Sequence, residues 1–206
     1  MNRSRMVIAA HHILTLYGHW GVNDPRGSGS DEIIDPKFEA LGPIHHGRKP
    51  NHLQPSRDEL RAFHQQHRDL LNFPIFWIDD QMRQEIACAI ASVIDEQRYT
   101  CYACAICSNH FHLVIRTHKH KALEQWNNLA EGVRQRVRHR FNDRISANHP
   151  VISARPYSVL LFTPDDVRGR VDYVKKNPQK EGLPLQHWDF VKQYDNWPLH
   201  KQNASE

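Results

Sequence analysis

No run of 18 apolar residues occurs anywhere in the 206-residue chain, so the sequence offers no membrane-spanning helix. Its start, MNRSRMVIAAHHIL, lacks the long apolar stretch and small-residue cleavage site of a secretory leader. The expected location is the cytoplasm. Only four cysteines are present, too few and too clustered for a disulfide framework, which a cytosolic setting would not favour in any case. Internal repeats and low-complexity blocks are missing as well. A strong charge of either sign is also absent, the net charge being +4. That charge is uneven, however. Residues 116–180 carry 14 Lys/Arg against 6 Asp/Glu, while the rest of the chain carries 13 against 17. A locally basic, globally near-neutral protein suggests a polyanion held on one surface, although a solvated basic face gives the same pattern.

Cys101, Cys104 and Cys107 stand in a C-x-x-C-x-x-C spacing that could advertise a metal or iron–sulfur site. They lie in YTCYACAIC, an apolar run that reads as a strand buried on both faces. Pleating then puts Cys101 and Cys107 on one face and Cys104 on the other, so the three do not converge. Buried reduced thiols are the expectation.

The rest of the chain reads as alternating strands and helices. A first strand is expected over 6–17, followed by a long irregular stretch, 18–58, rich in Gly, Pro, His and Asp. Loops of that length are usually functional or poorly ordered. Ser56 and Glu59 mark the start of a short helix. Helical spacing of Met82, Ile86, Ala89, Ile90, Val93 and Ile94 predicts an amphipathic helix to Gln97. Two strands, 99–107 and 110–116, are joined by a turn at Ser108-Asn109. A helix over about 120–141 carries Leu123, Trp126, Leu129, Val133, Val137 and Phe141 as its inner stripe and Arg134, Arg136, Arg138 and Arg140 on its outer side. A fourth strand, 156–162, precedes a helix with Thr163 as N-cap, Pro164 at N1, Asp166 at N3 and Pro178 as its stop. The order β-α-β-β-α-β-α predicts an α+β domain over 1–182, one antiparallel sheet with helices packed on it. The tail, 183–206, bears Trp188, Tyr194 and Trp197, and reads as a packed arm or a stacking surface for bases.

Two features point to chemistry. In SNHFHLVIRT, His110 and His112 share one face of a strand at roughly 6.6 Å of rise, near enough for both imidazoles to lean onto one divalent ion. Hydrogen-bonded surface histidines are the plainer reading in a chain with 16 of them. In TPDDVRGRVDYVKKNPQ, Val167, Val171 and Val174 fall within about 40° of one another around a helix. Tyr173 and Asn177 lie roughly 80–120° away, one turn apart, with Arg170 beside them. A core tyrosine would sit on the valine stripe. Two imidazoles and an amide oxygen could hold an ion with positions left open for a phosphate, and a phenol on the same helix face could attack the phosphorus.

The pair His110-Phe111-His112, with Tyr173 63 residues further on, resembles the HUH single-tyrosine transposases of small bacterial insertion sequences. VDYVKKNPQKEGLP resembles their tyrosine helix, and YGHWGVNDPRGS after the first strand resembles the REP-associated tyrosine transposase branch. The similarity runs over roughly residues 7–185. It implies a ferredoxin-like fold with the His-x-His strand central. It also implies metal-dependent cleavage of single-stranded DNA near a hairpin through a 5′-phosphotyrosine link. On this resemblance Tyr173 is the nucleophile and His110, His112 and Asn177 are the ligands of Mg or Mn; by their charge, Arg134, Arg136, Arg138, Arg140, Arg170 and Lys176 are candidates for touching DNA. The expected partner is a hairpin of a palindromic repeat or element end, bound by a nucleoid-associated monomer or weak dimer. Two other functions fit the same residues: a replication- or mobilisation-type nicking enzyme, against which stands the lack of a second tyrosine on the last helix, and a catalytically idle hairpin-binding protein.

Overall fold

The computed structural model describes residues 6–198. Among them two compact units are present, one of residues 6–14 and 78–198, the other of residues 15–77.

The first unit is a ferredoxin-like α+β fold. Strands β1 (Ala9–Thr15), β2 (Cys101–Ile106), β3 (His110–Arg116) and β4 (Tyr157–Leu161) form a four-stranded sheet in the order β2-β3-β1-β4. β2 runs antiparallel to β3, with Ala105 opposite His112, and β1 antiparallel to β4, with His11 opposite Val159. Thr117 donates to the Ile8 carbonyl, while His11 reaches His112, so residue numbers run in opposite senses across β1 and β3 too. The His-x-His strand is therefore an inner strand, as expected, and β1 is the other.

Three helices of this unit form for local reasons already visible in the chain. Helix α2 (Asp80–Gln97) starts at Asp79, whose carboxylate accepts from the Met82 amide, and buries Met82, Ile86, Ala89, Ile90, Val93 and Ile94. Helix α3 (Ala122–Arg140) packs on α2. Gly132 permits the close approach, since a Cβ there would run into the Val93 side chain. Its inner stripe is Trp126, Leu129, Val133 and Val137, with Phe141 just beyond. Leu123 does not belong to it, being 56 % exposed. It lies about 60° from Trp126 at the stripe's edge, and the inward place in the first turn goes to Gln125, which hydrogen-bonds His12 and the Arg116 carbonyl. Helix α4 (Pro164–Lys180) has the expected capping box between Thr163 and Asp166 and lies on β2 and β3. Val167, Val171 and Val174 pack there with Tyr102, Ala103, Ala105 and Val114. Pro178 does not end α4; the helix runs on to Lys180 and closes through Gly182 at φ +72°, with the Leu183 amide reaching the Pro178 carbonyl. Pro178 has no N–H to give the Val174 carbonyl, so α4 carries one missing bond in its last turn rather than a stop there.

The register of β2 against β3 is irregular between Cys101 and Ala103. Tyr102 and Ala103 both join the cluster beneath α4, so strict alternation fails there and no longer ties Cys101 to the face of Cys107. All three strand cysteines are buried and free, and Cys88 is free and exposed. The C-terminal segment is a packed arm as far as it is described. Lys192 donates to the Cys101 carbonyl. Tyr194 sits edge-on to Tyr102 at 4.9 Å and donates to the Trp197 carbonyl. Arg116 stacks over Trp197 at 4.0 Å. Residues 199–206 of the expected tail lie outside the described residues.

The second unit contains two short 3-10 segments (Pro36–Leu41 and Asn51–Leu53) and helix α1 (Arg57–Asp69), which opens with the Ser56–Glu59 capping box. Phe63 and His67 turn inward from α1, and His67 stacks between Phe63 and Phe38. The stretch expected as a loop is knit by turns. Buried Asp24 takes the Arg26 backbone and guanidinium, and Ser28 pairs with His46 in an isolated parallel β-bridge. Gly27, at φ +98°, lies so close to Gly47 that a Cβ would overlap its carbonyl oxygen.

Candidate metal and nucleophile site

β3 presents His110 and His112 on one face, and their Nε2 atoms lie 2.9 Å apart. The Nδ1 atoms point outward from this pair. That of His110 meets the Asn109 side-chain oxygen at 2.6 Å and a Glu181 carboxylate oxygen at 3.8 Å. That of His112 meets Nε2 of His11 at 2.9 Å, from the neighbouring strand. Glu181 is itself tied down, its other oxygen accepting from the Ser108 amide at 3.0 Å.

Burial decides the charge state of these rings. Desolvation is the main cause holding His112 down at about 2, helped by repulsion from His110, His11, Arg170 and Lys180. The same burial, with Arg170, His12 and His110, brings His11 to about 3. His110 is also lowered by burial, against an opposing pull from Glu181. All three are neutral near pH 7, the form that ligates a metal.

Helix α4 brings the tyrosine to this place. Tyr173 is 40 % exposed, with its ring 5.7 Å from that of His112 and 6.1 Å from that of His11, edge-to-face in both cases. Two cations flank it, Lys180 Nζ at 4.3 Å from the ring centre and the Arg170 guanidinium at 5.5 Å. Asn177, one turn on, is only 6 % exposed, and its Nδ2 has no hydrogen-bond partner. The valine stripe is thus flanked by an exposed phenol and a buried amide left short of a partner, which a packing role alone would not require.

The residues fit a divalent ion on these observations. Two ligands at about 2.1 Å and at right angles around an octahedral ion lie about 3.0 Å apart, close to the spacing of the two Nε2 atoms. Neutral imidazoles, with the Asn177 amide oxygen as the expected third ligand, would accept Mg, Mn or Zn. A second donor set overlaps it: Cys107, His110 and Glu181 offer ligand atoms within 4.8 Å of one another. Cys107 brings a thiol pushed up to about 12, mainly by burial, so it is protonated unless an ion displaces the proton.

Glu181 and Lys180 were not visible as site residues in the sequence. The signal was the helical step itself: Tyr173, Asn177 and Glu181 follow one another at four-residue spacing. His11 was hidden differently. Adjacent to His12, it points to the opposite face of β1, so the two form no joint site; His12 turns to Ser158 and Gln125. His11 instead joins the His110–His112 pair.

The arginines of α3 are engaged with protein groups. Arg134 and Arg138 donate to the Pro150 and His149 carbonyls, and Arg136 and Arg140 both reach Glu85 of α2. Lys176 is exposed on α4. A cavity of about 610 Å³ belongs to the second unit, lined by residues such as Phe63, His45 and Lys49, and contains none of the paired imidazoles or Tyr173. No helix among the described residues is long and apolar enough to cross a membrane.

No protein-family model matches this chain, and neither does any curated protein. Among solved structures, one of a REP-associated tyrosine transposase bound to a REP hairpin is similar at 11 % identity over 89 % of this chain and 74 % of that chain, with a TM-score of 0.46. It is a distant likeness of fold.

Proposed function

We propose that the chain is a metal-dependent single-stranded DNA transposase or endonuclease that cuts near a hairpin through a 5′-phosphotyrosine intermediate and can rejoin strands. The observation that carries this reading is the meeting of the two Nε2 atoms at 2.9 Å with the Tyr173 ring 5.7 Å from His112. His110, His112 and Asn177 would hold Mg or Mn, which when bound supplies charge withdrawal from the phosphate oxygens.

The chain's own residues do the rest. Tyr173 attacks the phosphorus: its oxygen–phosphorus bond forms as the bond to the 3′-oxygen breaks, the phenol loses its proton and the leaving 3′-oxygen gains one. The phosphotyrosine keeps the energy of the broken linkage, so a free 3′-hydroxyl can reverse the step. Arg170 and Lys180, beside the ring, favour an anionic phosphate at that place. A single tyrosine acts on a single strand. We assign the activity to residues 1–182, with hairpin DNA as partner and a monomer or weak dimer as the acting form.

The test is a denaturing gel of labelled single-stranded hairpin DNA incubated with the protein and Mg or Mn. A covalent adduct that needs the metal and that fully paired duplex does not give is the expected result. No adduct with either metal would leave the hairpin-binding reading in its place.

A further inference from the structure

Buried His11 and His112 and half-buried His110 form one hydrogen-bonded row: His11 Nε2 to His112 Nδ1 at 2.9 Å, His112 Nε2 to His110 Nε2 at 2.9 Å, and His110 Nδ1 to the Asn109 oxygen at 2.6 Å. Each of these contacts needs one hydrogen, and each neutral ring has one to give. Asn109 offers an acceptor, so His110 carries its proton on Nδ1 and presents a lone pair at Nε2. His112 must then donate from Nε2, which leaves its Nδ1 as an acceptor for His11 Nε2–H. The row ends at His11 Nδ1, which is buried and has no partner. It is left as a bare acceptor, the cheaper of the two ways to be unpaired.

This arrangement is closed to a metal. An ion between the two Nε2 atoms needs a lone pair on both, and His112 has a hydrogen there. His112 can free that position only by carrying its hydrogen on Nδ1, where the one partner is His11 Nε2, which must then turn from donor to acceptor. We propose that His11 is a positioning residue of the metal site: it exchanges tautomer with His112, taking the hydrogen bond from His112 Nδ1 so that Nε2 faces the ion. The count closes. Water is the carrier: His112 gives its Nε2 proton to water, His11 passes its Nε2 proton to His112 Nδ1, and His11 takes a proton from water at Nδ1, so all three rings stay neutral with three protons before and after and the His11 Nδ1–H becomes the unpaired group. Orientation of a ligating imidazole by a partner on its far nitrogen is a general device, and its loss typically lowers metal affinity 10–100-fold. Here the partner is a third histidine from the adjacent strand.

The inference rests on the proposed metal site, and its test separates the two. In the full chain, Mn binding is measured by electron paramagnetic resonance for the wild type, His110→Ala, His11→Phe and His11→Gln. His11→Phe fills the space without an acceptor and should bind Mn 10–100-fold more weakly. His11→Gln, whose amide oxygen can accept from His112 Nδ1–H, should recover most of the loss. Normal affinity in His11→Phe together with lost affinity in His110→Ala overturns the role of His11 and leaves the metal site standing. Normal affinity in both removes the site itself. A measurement on the wild type needs no variant to fold: nitrogen spectra of histidine-labelled protein should show the His112 hydrogen on Nε2 without Mg and on Nδ1 with it. A His112 tautomer that Mg leaves unchanged overturns the proposal.

Discussion

The Nε2 atoms of His110 and His112 face each other at 2.9 Å, while a different part of the chain holds each ring from behind: Asn109 and Glu181 for His110, His11 for His112. Strand pleating alone would set the two side chains roughly 6.6 Å apart. Closing that gap takes the flanking hydrogen bonds, which tilt the rings toward each other. Both rings are desolvated, so pairing them without an ion leaves two polar nitrogens dependent on one hydrogen.

Tyr173→Phe removes a single oxygen from a 40 % exposed side chain. Thermal stability and hairpin binding should stay within experimental error of the wild type, because surface changes of this kind rarely exceed about 0.5 kcal/mol. The covalent adduct should vanish. If an adduct persists, the nucleophile lies elsewhere; Tyr194 is a poor substitute, since its hydroxyl already donates to the Trp197 carbonyl.

Acid should destabilise the fold well above the range of carboxylate titration. His12 is held at about 4 by burial, partly offset by its hydrogen bond to Gln125, while His11 and His112 are lower still. Unfolded, each returns to about 6.5. Between those values the unfolded chain binds more protons, so stability falls as pH drops through 6.5 toward 4. Each such histidine adds up to about 1.4 kcal/mol per pH unit. Urea unfolding across pH 4–7 reads this slope directly. His12→Gln should lower stability at pH 7 yet make the slope shallower, and an unaltered slope would show that His12 is not among the titrating groups.

The capping boxes at Ser56 and Thr163, the valine stripe of α4 and the offset of Tyr173 from it were all legible in the sequence, because each depends on residues within a turn or two. The His110–His112 pair was legible for the same reason. What could not be read was set by distant partners. Gln125 displaces Leu123 from the inner face because His12 lies 113 residues away. His11 belongs to the site only because β1 pairs beside β3. The α3 arginines illustrate the converse: their row on one helix side was plain, but their partners, Glu85 and the carbonyls of 149 and 150, were not.

Those partners divide the basic residues into two groups with different expected roles. Arg134 and Arg138 each satisfy a carbonyl from the segment after α3, and replacing either by alanine should cost roughly 1.5–3 kcal/mol as a charged hydrogen bond is removed. Arg170 and Lys180 flank Tyr173 instead. Their double alanine variant should fold normally, bind a single-stranded hairpin more weakly and reduce the salt slope of binding by roughly 0.7 for each phosphate no longer neutralised. Filter-binding titrations from 50 to 200 mM salt measure it, and an unchanged slope removes both residues from the DNA surface.

Glu181 offers the sharpest division between holding a ring and binding an ion. Its carboxylate lies 3.8 Å from His110 Nδ1, on the side away from His112, and is fixed there by the Ser108 amide. From that side it strengthens His110 as a ligand by favouring Nδ1–H. Glu181→Gln keeps an oxygen for the Ser108 amide but drops the charge, so Mn affinity should fall several-fold; Glu181→Ala loses both and should fall about 10-fold or more. Cys107 separates this from direct ligation by the Cys107–His110–Glu181 set. With its thiol pushed up to about 12 by burial, Cys107 should contribute nothing to the ion. Cys107→Ser should then bind Mn and cobalt like the wild type, and cobalt should show no thiolate charge-transfer absorption. A thiolate band that Cys107→Ser abolishes would mean the ion sits behind His110, on the Glu181 side, and not between the two Nε2 atoms.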